Sequence, residues 1–209
     1  MLFRSRNNLI AHNTVHMPSS ARWALNMING STGNQVLDNI LIHDGSRGGL
    51  ETDAGSLSGL VSDYNIMTRV SLDDTFLTLA AWQSGYGQDG HSAARAAAEL
   101  FINPGGDHHL LETAWAVDHG LTLAEYTDDL DGVARPQGAA SDIGCYERAA
   151  GALVGDINGD GVVDEADCIL LADYLAGNLR SDDLTPVAAD LNQDGAIDAV
   201  DLTILKRLL

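Results

Sequence analysis

The sequence predicts a mainly β chain that closes with a small all-α module. Three observations predict it. Asn13, Asn39 and Asn65 recur every 26 residues inside matching apolar surroundings. Two twelve-residue acidic segments, starting at Asp156 and Asp190, recur 34 residues apart, and each runs into a helical pattern of apolar residues. The 209 residues also hold 22 glycines with only 5% aromatics, which suits a turn-rich chain better than a core of large rings.

The first recurrence argues for stacked strands. The surroundings match, Asn8-Leu9-Ile10-Ala11-His12-Asn13-Thr14-Val15, Asn34-Gln35-Val36-Leu37-Asp38-Asn39-Ile40-Leu41 and Gly59-Leu60-Val61-Ser62-Asp63-Tyr64-Asn65-Ile66, with Asn13, Asn39 and Asn65 in register. Each copy reads as a short alternating strand, a polar turn at the asparagine and a second strand. Asparagine tolerates left-handed backbone at such a turn, and its amide can bond to the asparagine of the next coil. Coils of this length stacked on one another make a parallel β-helix. An antiparallel sandwich alternates in the same way and stays open as the alternative. Beyond residue 70 the period breaks into an irregular cap. Phe76 to Trp82 and Ser92 to Leu100 read as short helical or irregular pieces, and Phe101-Ile102 and His109-Leu110-Leu111 as short strands. Turns at Asp129-Leu130-Asp131-Gly132 and Arg135-Pro136-Gln137-Gly138 lead into Ser141-Asp142-Ile143-Gly144-Cys145-Tyr146-Glu147.

Charge divides the chain. There are 30 Asp+Glu against 11 Lys+Arg, a net of −19. So acidic a chain lacks the basic face that nucleic acid or an anionic membrane surface requires. Residues 151–209 hold 12 acids and 3 bases, whereas residues 1–150 hold 18 and 8, so the C-terminal part is more than twice as charge-dense. The small uncharged stretch Ala149-Ala150-Gly151-Ala152-Leu153 lies at the shift. The expected division is therefore residues 1–148, a linker over 149–154, and a second domain over 155–209. No apolar run reaches the roughly 20 residues of a membrane span, and Met1 to Arg6 leads into Asn7 without a signal-peptide core. Cys145 and Cys168 are too few for a disulfide framework.

The two acidic segments carry oxygen ligands at metal-loop spacing. Asp156, Asn158, Asp160, Asp164 and Asp167 occupy positions 1, 3, 5, 9 and 12 of the first; Asp190, Asn192, Asp194, Asp198 and Asp201 occupy them in the second. Position 7 offers a backbone carbonyl, from Val162 and Ala196. Gly161 and Gly195 permit the sharp turn at position 6. Six to eight hard oxygens per loop suit Ca2+, and suit Mg2+ less, since it prefers a small octahedron with several waters. Two Ca2+ sites are expected. Asp at position 12 reaches less far than the Glu usual in EF-hands. After each loop comes an apolar helix face, Leu170, Leu171, Tyr174 and Leu175 in the first and Ile204, Leu205, Leu208 and Leu209 in the second, with Gly177-Asn178 as a stop. Cys168, aligned with Leu202, reads as a small buried hydrophobe.

Residues 155–209 thus resemble a type I dockerin, a pair of loop–helix calcium motifs without the preceding EF-hand helix. The resemblance implies calcium-dependent folding and docking onto a cohesin module of a scaffoldin or cell-surface protein. Modules of this kind usually attach secreted polysaccharide-degrading enzymes to a multi-enzyme complex, the cellulosome, so it implies an extracellular setting. Family recognition positions fall on Glu165, Ala166, Ala172 and Asp173 in the first repeat and on Ala199, Val200, Lys206 and Arg207 in the second. Lys206-Arg207 matches the family pattern and Ala172-Asp173 departs from it. The second helix is therefore the expected partner face.

Residues 7–147 resemble the terminal part of secreted right-handed parallel β-helix proteins, pectate lyase-like among them, which commonly close with Asp-Gly, Arg-Pro, Asp-Ile-Gly and Tyr/Phe-Glu elements. Cys145 stands where a small residue is usual. Residue 7 already lies in a coil, so the chain is expected to be the C-terminal piece of a longer secreted protein. The resemblance implies polysaccharide as a partner and leaves three roles open: a lyase, a glycoside hydrolase, or a non-catalytic adhesive solenoid. No catalytic motif supports either enzyme. Residues 1–150 hold no lysine, and none of Arg4, Arg6, Arg22, Arg47, Arg69, Arg95, Arg135 and Arg148 sits in one; Arg135 reads as a structural bridge. Asp73-Asp74 and Asp128-Asp129 read as surface turns. His108 and His109 face opposite sides of a strand and do not share a metal. No Gly-x-Ser-x-Gly signature occurs.

Overall fold

The computed structural model describes residues 2–148, 154–158, 162–180, 184–192 and 194–209. The chain divides into two compact units, residues 1–149 and 150–209.

Unit 1 is built of short strands that pair with strands one recurrence away. β1 (Leu2–Phe3), β2 (Leu9–Ala11), β3 (Thr14–Met17), β4 (Leu25–Ile28), β5 (Gln35–Leu37), β6 (Ile40–His43), β7 (Leu50–Thr52), β8 (Val61–Asp63) and β9 (Arg69–Leu72) follow in order. They sort into three sheets in which these strands all run parallel: β1-β4-β7-β9, β2-β5-β8 and β3-β6. Leu9 pairs with Gln35, which pairs with Val61, and Thr14 pairs with Ile40. The 26-residue recurrence is thus the ladder register itself. In the second and third sheets each strand finds its partner a full recurrence away, with no hairpin between them.

The register slips in the first sheet, before the break expected beyond residue 70. In the first sheet Leu25 pairs with Leu50 and Leu50 with Val70, steps of 25 and then 20 residues. The side chains at these rungs point inward with Met27, Val36, Leu41, Met67 and Trp82 to form one core. Each such aliphatic contributes about 1.5–3 kcal/mol by leaving water. A second core joins Ile40, Ile42 and Ile66 to Leu100, Phe101, Leu110 and Ile143 of the cap.

Asparagines stitch the layers. Asn13 Nδ2 donates to Asn39 Oδ1 at 2.9 Å, and Asn39 Nδ2 donates to Asn65 Oδ1 at 3.0 Å. The same oxygens accept the backbone N–H of Asn13 and Asn39, each at 3.0 Å. The left-handed residues, however, are His12, Asp38 and Tyr64, one position earlier than expected. Each ladder amide also reaches inward, as Asn39 Nδ2 does to Leu37 O at 2.7 Å, so the kink falls on the preceding residue. Asn8 and Asn34 form a second rung pair at 2.8 Å, which the same spacing contains but sequence reading passed over.

The stretch from Phe76 to Trp82 corrects another expectation. Thr75–Thr78 is a strand, β10, antiparallel to β9. Asp73 and Asp74 form the two-residue turn, both with positive φ (48° and 60°), the backbone a tight hairpin demands. Helix α1 (Leu79–Tyr86) follows; Thr78 caps it by accepting from Ala81 N at 3.2 Å, and left-handed Gly87 ends it. Trp82 is fully buried and donates its indole N–H to Asp89 at 2.8 Å. The hairpin β11 (Phe101–Asn103) and β12 (Asp107–Leu110) agrees with the expected strands.

A buried ionic knot ties the end of unit 1. Arg135 Nη1 donates to Glu147 Oε2 at 3.0 Å, and Arg135 also reaches the carbonyls of Asp142 and Gly144. Glu147 accepts the N–H groups of Gln137 and Asp142, each at 2.8 Å. Arg135 is thus the expected bridge. Asp142 accepts from Asp118 N and Arg148 N, and burial pushes its pKa up to about 6.

Unit 2 packs α2 (Glu165–Leu175) against α4 (Ala199–Leu208), with the short α3 (Pro186–Ala189) between them in sequence. Ile157, Cys168, Leu171, Leu184, Ala189 and Leu205 form its core. The packed face is therefore Cys168, Leu171 and Tyr174 on α2 and Leu202 and Leu205 on α4. Leu175, Leu208 and Leu209 are exposed, against the expected face, because a stripe drifts at 100° per residue and the last turn passes the partner helix. Burial pushes the Cys168 thiol up, in keeping with a packing role. Gly177, with φ of 79°, supplies the expected stop by donating to Tyr174 O. Among the described residues no helix is long and apolar enough to cross a membrane.

Candidate metal centre and docking face

Each acidic loop is closed by its own carboxylates. At position 12 of the first, Asp167 is fully buried; its Oδ1 accepts from Ile157 N at 2.7 Å and Asn158 N at 3.0 Å, and its Oδ2 from Asp164 N at 2.8 Å. Asp201 repeats this in the second loop, accepting from Leu191 N, Asn192 N and Asp198 N at 2.9, 3.2 and 2.9 Å. Position 9 is the helix N-cap in both. Asp164 accepts from Ala166 N and Asp198 from Val200 N, each at 2.7 Å. Position 12 thus completes a capping box and welds loop to helix. The spacing announced a ligand there; the burial and the welding could not be read from it, although Asp three residues after Asp is the capping-box pattern.

In the second loop, the remaining polar side chains accept backbone N–H groups of the loop itself. Asp190 accepts from Asp194 N and Gly195 N at 3.1 and 2.9 Å; Asn192 Oδ1 accepts from Asp194 N at 3.0 Å; Asp194 Oδ1 accepts from Ala196 N at 2.9 Å. Gly195 carries φ of 87°, the left-handed turn expected at position 6. In the first loop Asp156 is buried, Asn158 and Val162 are exposed, and Asp160 with Gly161 lies outside the described residues. Among the described residues no group of three or more His, Cys, Asp or Glu side chains already converges as a metal site. The donor set nevertheless fits a hard cation. It is all oxygen, supplied by Asp190, Asn192, Asp194, Asp198 and the Ala196 carbonyl, and these carboxylates gather negative charge that no basic side chain offsets within the loop.

The helix faces differ in charge. Ala199, Val200, Lys206 and Arg207 are all exposed on α4. On α2 the equivalent face carries Glu165, Ala166, Ala172 and Asp173, and Asp173 is occupied at the helix end by Asn178. Lys206 and Arg207 stand in the last turn of α4, where the helix dipole favours cations.

The side chains weighed as catalytic candidates in unit 1 make local contacts. Asp73-Asp74 is the β9–β10 turn. Asp129 Oδ1 accepts from Asp131 N and Val133 N, and its Oδ2 from Glu147 N. His108 lies 3.3 Å from His16, while His109 is bracketed by Asp107 at 2.6 Å and Asp131 at 2.8 Å. The two histidines face apart, as a strand requires.

Two oxygen-rich segments are each welded to the helix that follows, and the two helices pack on each other. In keeping with this, the dockerin type I domain family matches residues 154–209. Residues 154–209 are thus similar to type I dockerin domains, a family that generally binds calcium and docks onto cohesin. No curated protein and no solved structure matches the chain.

Proposed function

We propose that the chain is an extracellular docking protein whose dockerin binds two Ca2+ ions and engages a cohesin through one dominant face, the exposed residues Ala199, Val200, Lys206 and Arg207. The first ion is held by Asp156, Asn158, Asp160, Val162, Asp164 and Asp167, the second by Asp190, Asn192, Asp194, Ala196, Asp198 and Asp201. The observation that carries the two-site reading is the duplicated welding of Asp167 and Asp201 to equivalent backbone amides. One-sided docking rests on charge: positions 17 and 18 read Ala-Asp in one repeat and Lys-Arg in the other. Unit 1 is, in this reading, the closing end of a right-handed parallel β-helix, supported by its parallel ladders and asparagine rungs, and its setting is polysaccharide degradation.

The test is a swap. Lys206→Ala with Arg207→Asp should weaken cohesin binding at least about 100-fold, while Ala172→Lys with Asp173→Arg should leave wild-type affinity intact or raise it. Equal losses from disrupting either face would sink the one-sided mode.

A further inference from the structure

Acidic residues outnumber basic ones by nearly three to one here, so a basic side chain has many carboxylates to choose from. Arg22, Arg47 and Arg69 nonetheless make no ion pair among the described residues. Asp44, three residues before Arg47 in sequence, pairs instead with His16 at 2.7 Å.

These three arginines gather at one place. Arg22 precedes β4, Arg47 precedes β7 and Arg69 opens β9, on successive strands of one sheet. The guanidinium carbons of Arg22 and Arg47 lie 5.7 and 4.7 Å from the centre of the same Trp23 ring. Arg69 donates to Ser46 O, beside Arg47, at 3.1 Å. Glycines set the close approach: a Cβ on Gly48 would meet Arg69 O at 2.4 Å, and one on Gly49 would meet Leu41 O at the same distance. His43, buried between the two loops, contacts Ala21 O at 3.2 Å and accepts from Gly45 N at 2.9 Å. The loops that present Arg22 and Arg47 are thereby fixed before any ligand arrives.

We infer that Arg22, Arg47 and Arg69 form a binding site for a single carboxylate on an otherwise uncharged ligand. A guanidinium laid on an aromatic face keeps its planar edge of N–H donors outward, and that edge matches a carboxylate in bidentate fashion. The size of the ligand's charge follows from the field of the protein. A net charge of −19 repels a polyanion at long range, whereas one carboxylate reaching three local cations feels them inside a screening length of about 8–10 Å. The site is independent of the docking face, so its failure would leave the docking reading untouched.

The test uses the full chain with calcium present, at low ionic strength. The indole N–H of Trp23 is buried and without a hydrogen-bond partner, which makes its NMR resonance a reporter, assigned through Trp23→Phe. Sodium acetate and sodium glucuronate should each move it saturably, while glucose and ionic-strength-matched chloride should not. Phosphate should bind more weakly than either carboxylate. Glucuronate binding more tightly than acetate identifies a sugar acid as the source; equal affinities identify the carboxylate alone. Arg47→Gln should weaken binding about tenfold or more. Arg22→Gln, at an exposed position that leaves the core intact, should do the same. The inference is overturned by an absent or unsaturable shift, by equal movement with chloride, by phosphate binding as well as or better than the carboxylates, or by unchanged affinity in both variants.

Discussion

Unit 1 and unit 2 both repeat, and both repeat a short polar side chain at a tight turn, but one uses an amide and the other a carboxylate. An asparagine carries donor and acceptor together, so Asn13, Asn39 and Asn65 satisfy one another across layers and add no charge. An aspartate is acceptor-only. Asp190, Asp194, Asp198 and Asp201 can take backbone N–H groups but cannot pair with each other, and every added rung adds a negative charge. The amide ladder is complete within the protein, whereas the carboxylate loop calls for a cation. The difference teaches that two repeats of similar length and polarity differ in what they need from outside, and that one atom per side chain decides it.

Breaking the comparison inside unit 1 should give the largest effects. Glu147→Gln leaves buried Arg135 without its counter-charge and should destabilise unit 1 by about 3–5 kcal/mol, read as a lower urea midpoint of its transition with that of unit 2 unmoved. Asn39→Asp converts a rung from amide to carboxylate. It removes donors to Ile10 O, Leu37 O and Asn65 Oδ1 and should cost about 3 kcal/mol, measured in the same way; a loss below about 1 kcal/mol would mean the ladder is not what holds the layers.

A pH series sharpens the picture of the knot. Burial raises Asp142 from its ordinary value to about 6, so the folded state takes up a proton more readily than the unfolded chain. Its contribution to stability is full below the unfolded value of 3.8 and is lost as pH rises through about 6. Between pH 7 and 5, wild-type unit 1 should therefore gain about 1 kcal/mol relative to Asp142→Asn, and parallel pH profiles would contradict this. The smallest effect belongs to the caps: Thr78→Ala removes the acceptor for Ala81 N and should cost α1 about 1 kcal/mol, seen as a lower urea midpoint of unit 1.

Much of this was legible because spacing survives folding. The 26-residue offset became the strand register, and the 34-residue offset became the matching backbone contacts of Asp167 and Asp201 and of Asp164 and Asp198. Arg135 and the position-6 turn at Gly195 were equally readable, since a buried cation and a left-handed kink each demand a particular residue. What was hidden depends on direction rather than on spacing. That the left-handed kink sits at His12, Asp38 and Tyr64 follows from where the asparagine amides must point. The exposure of Leu175 and Leu208 follows from where each helix leaves its partner. The hairpin through Asp73-Asp74 was masked because Phe76 and Leu77 fit a helix as well as a strand. The arginine cluster around Trp23 spans three strands and has no signature in linear sequence.

The comparison rests on the claim that the carboxylate loops need a cation and the amide ladder does not. Circular dichroism of the full chain, followed through a calcium titration after chelator treatment, tests it directly. The account predicts that removing calcium unfolds α2 and α4 while the β signal of unit 1 stays, and that the helical signal returns with two Ca2+ bound per chain. Helicity unchanged between chelator and saturating calcium, or loss of the β signal together with the helices, would contradict it.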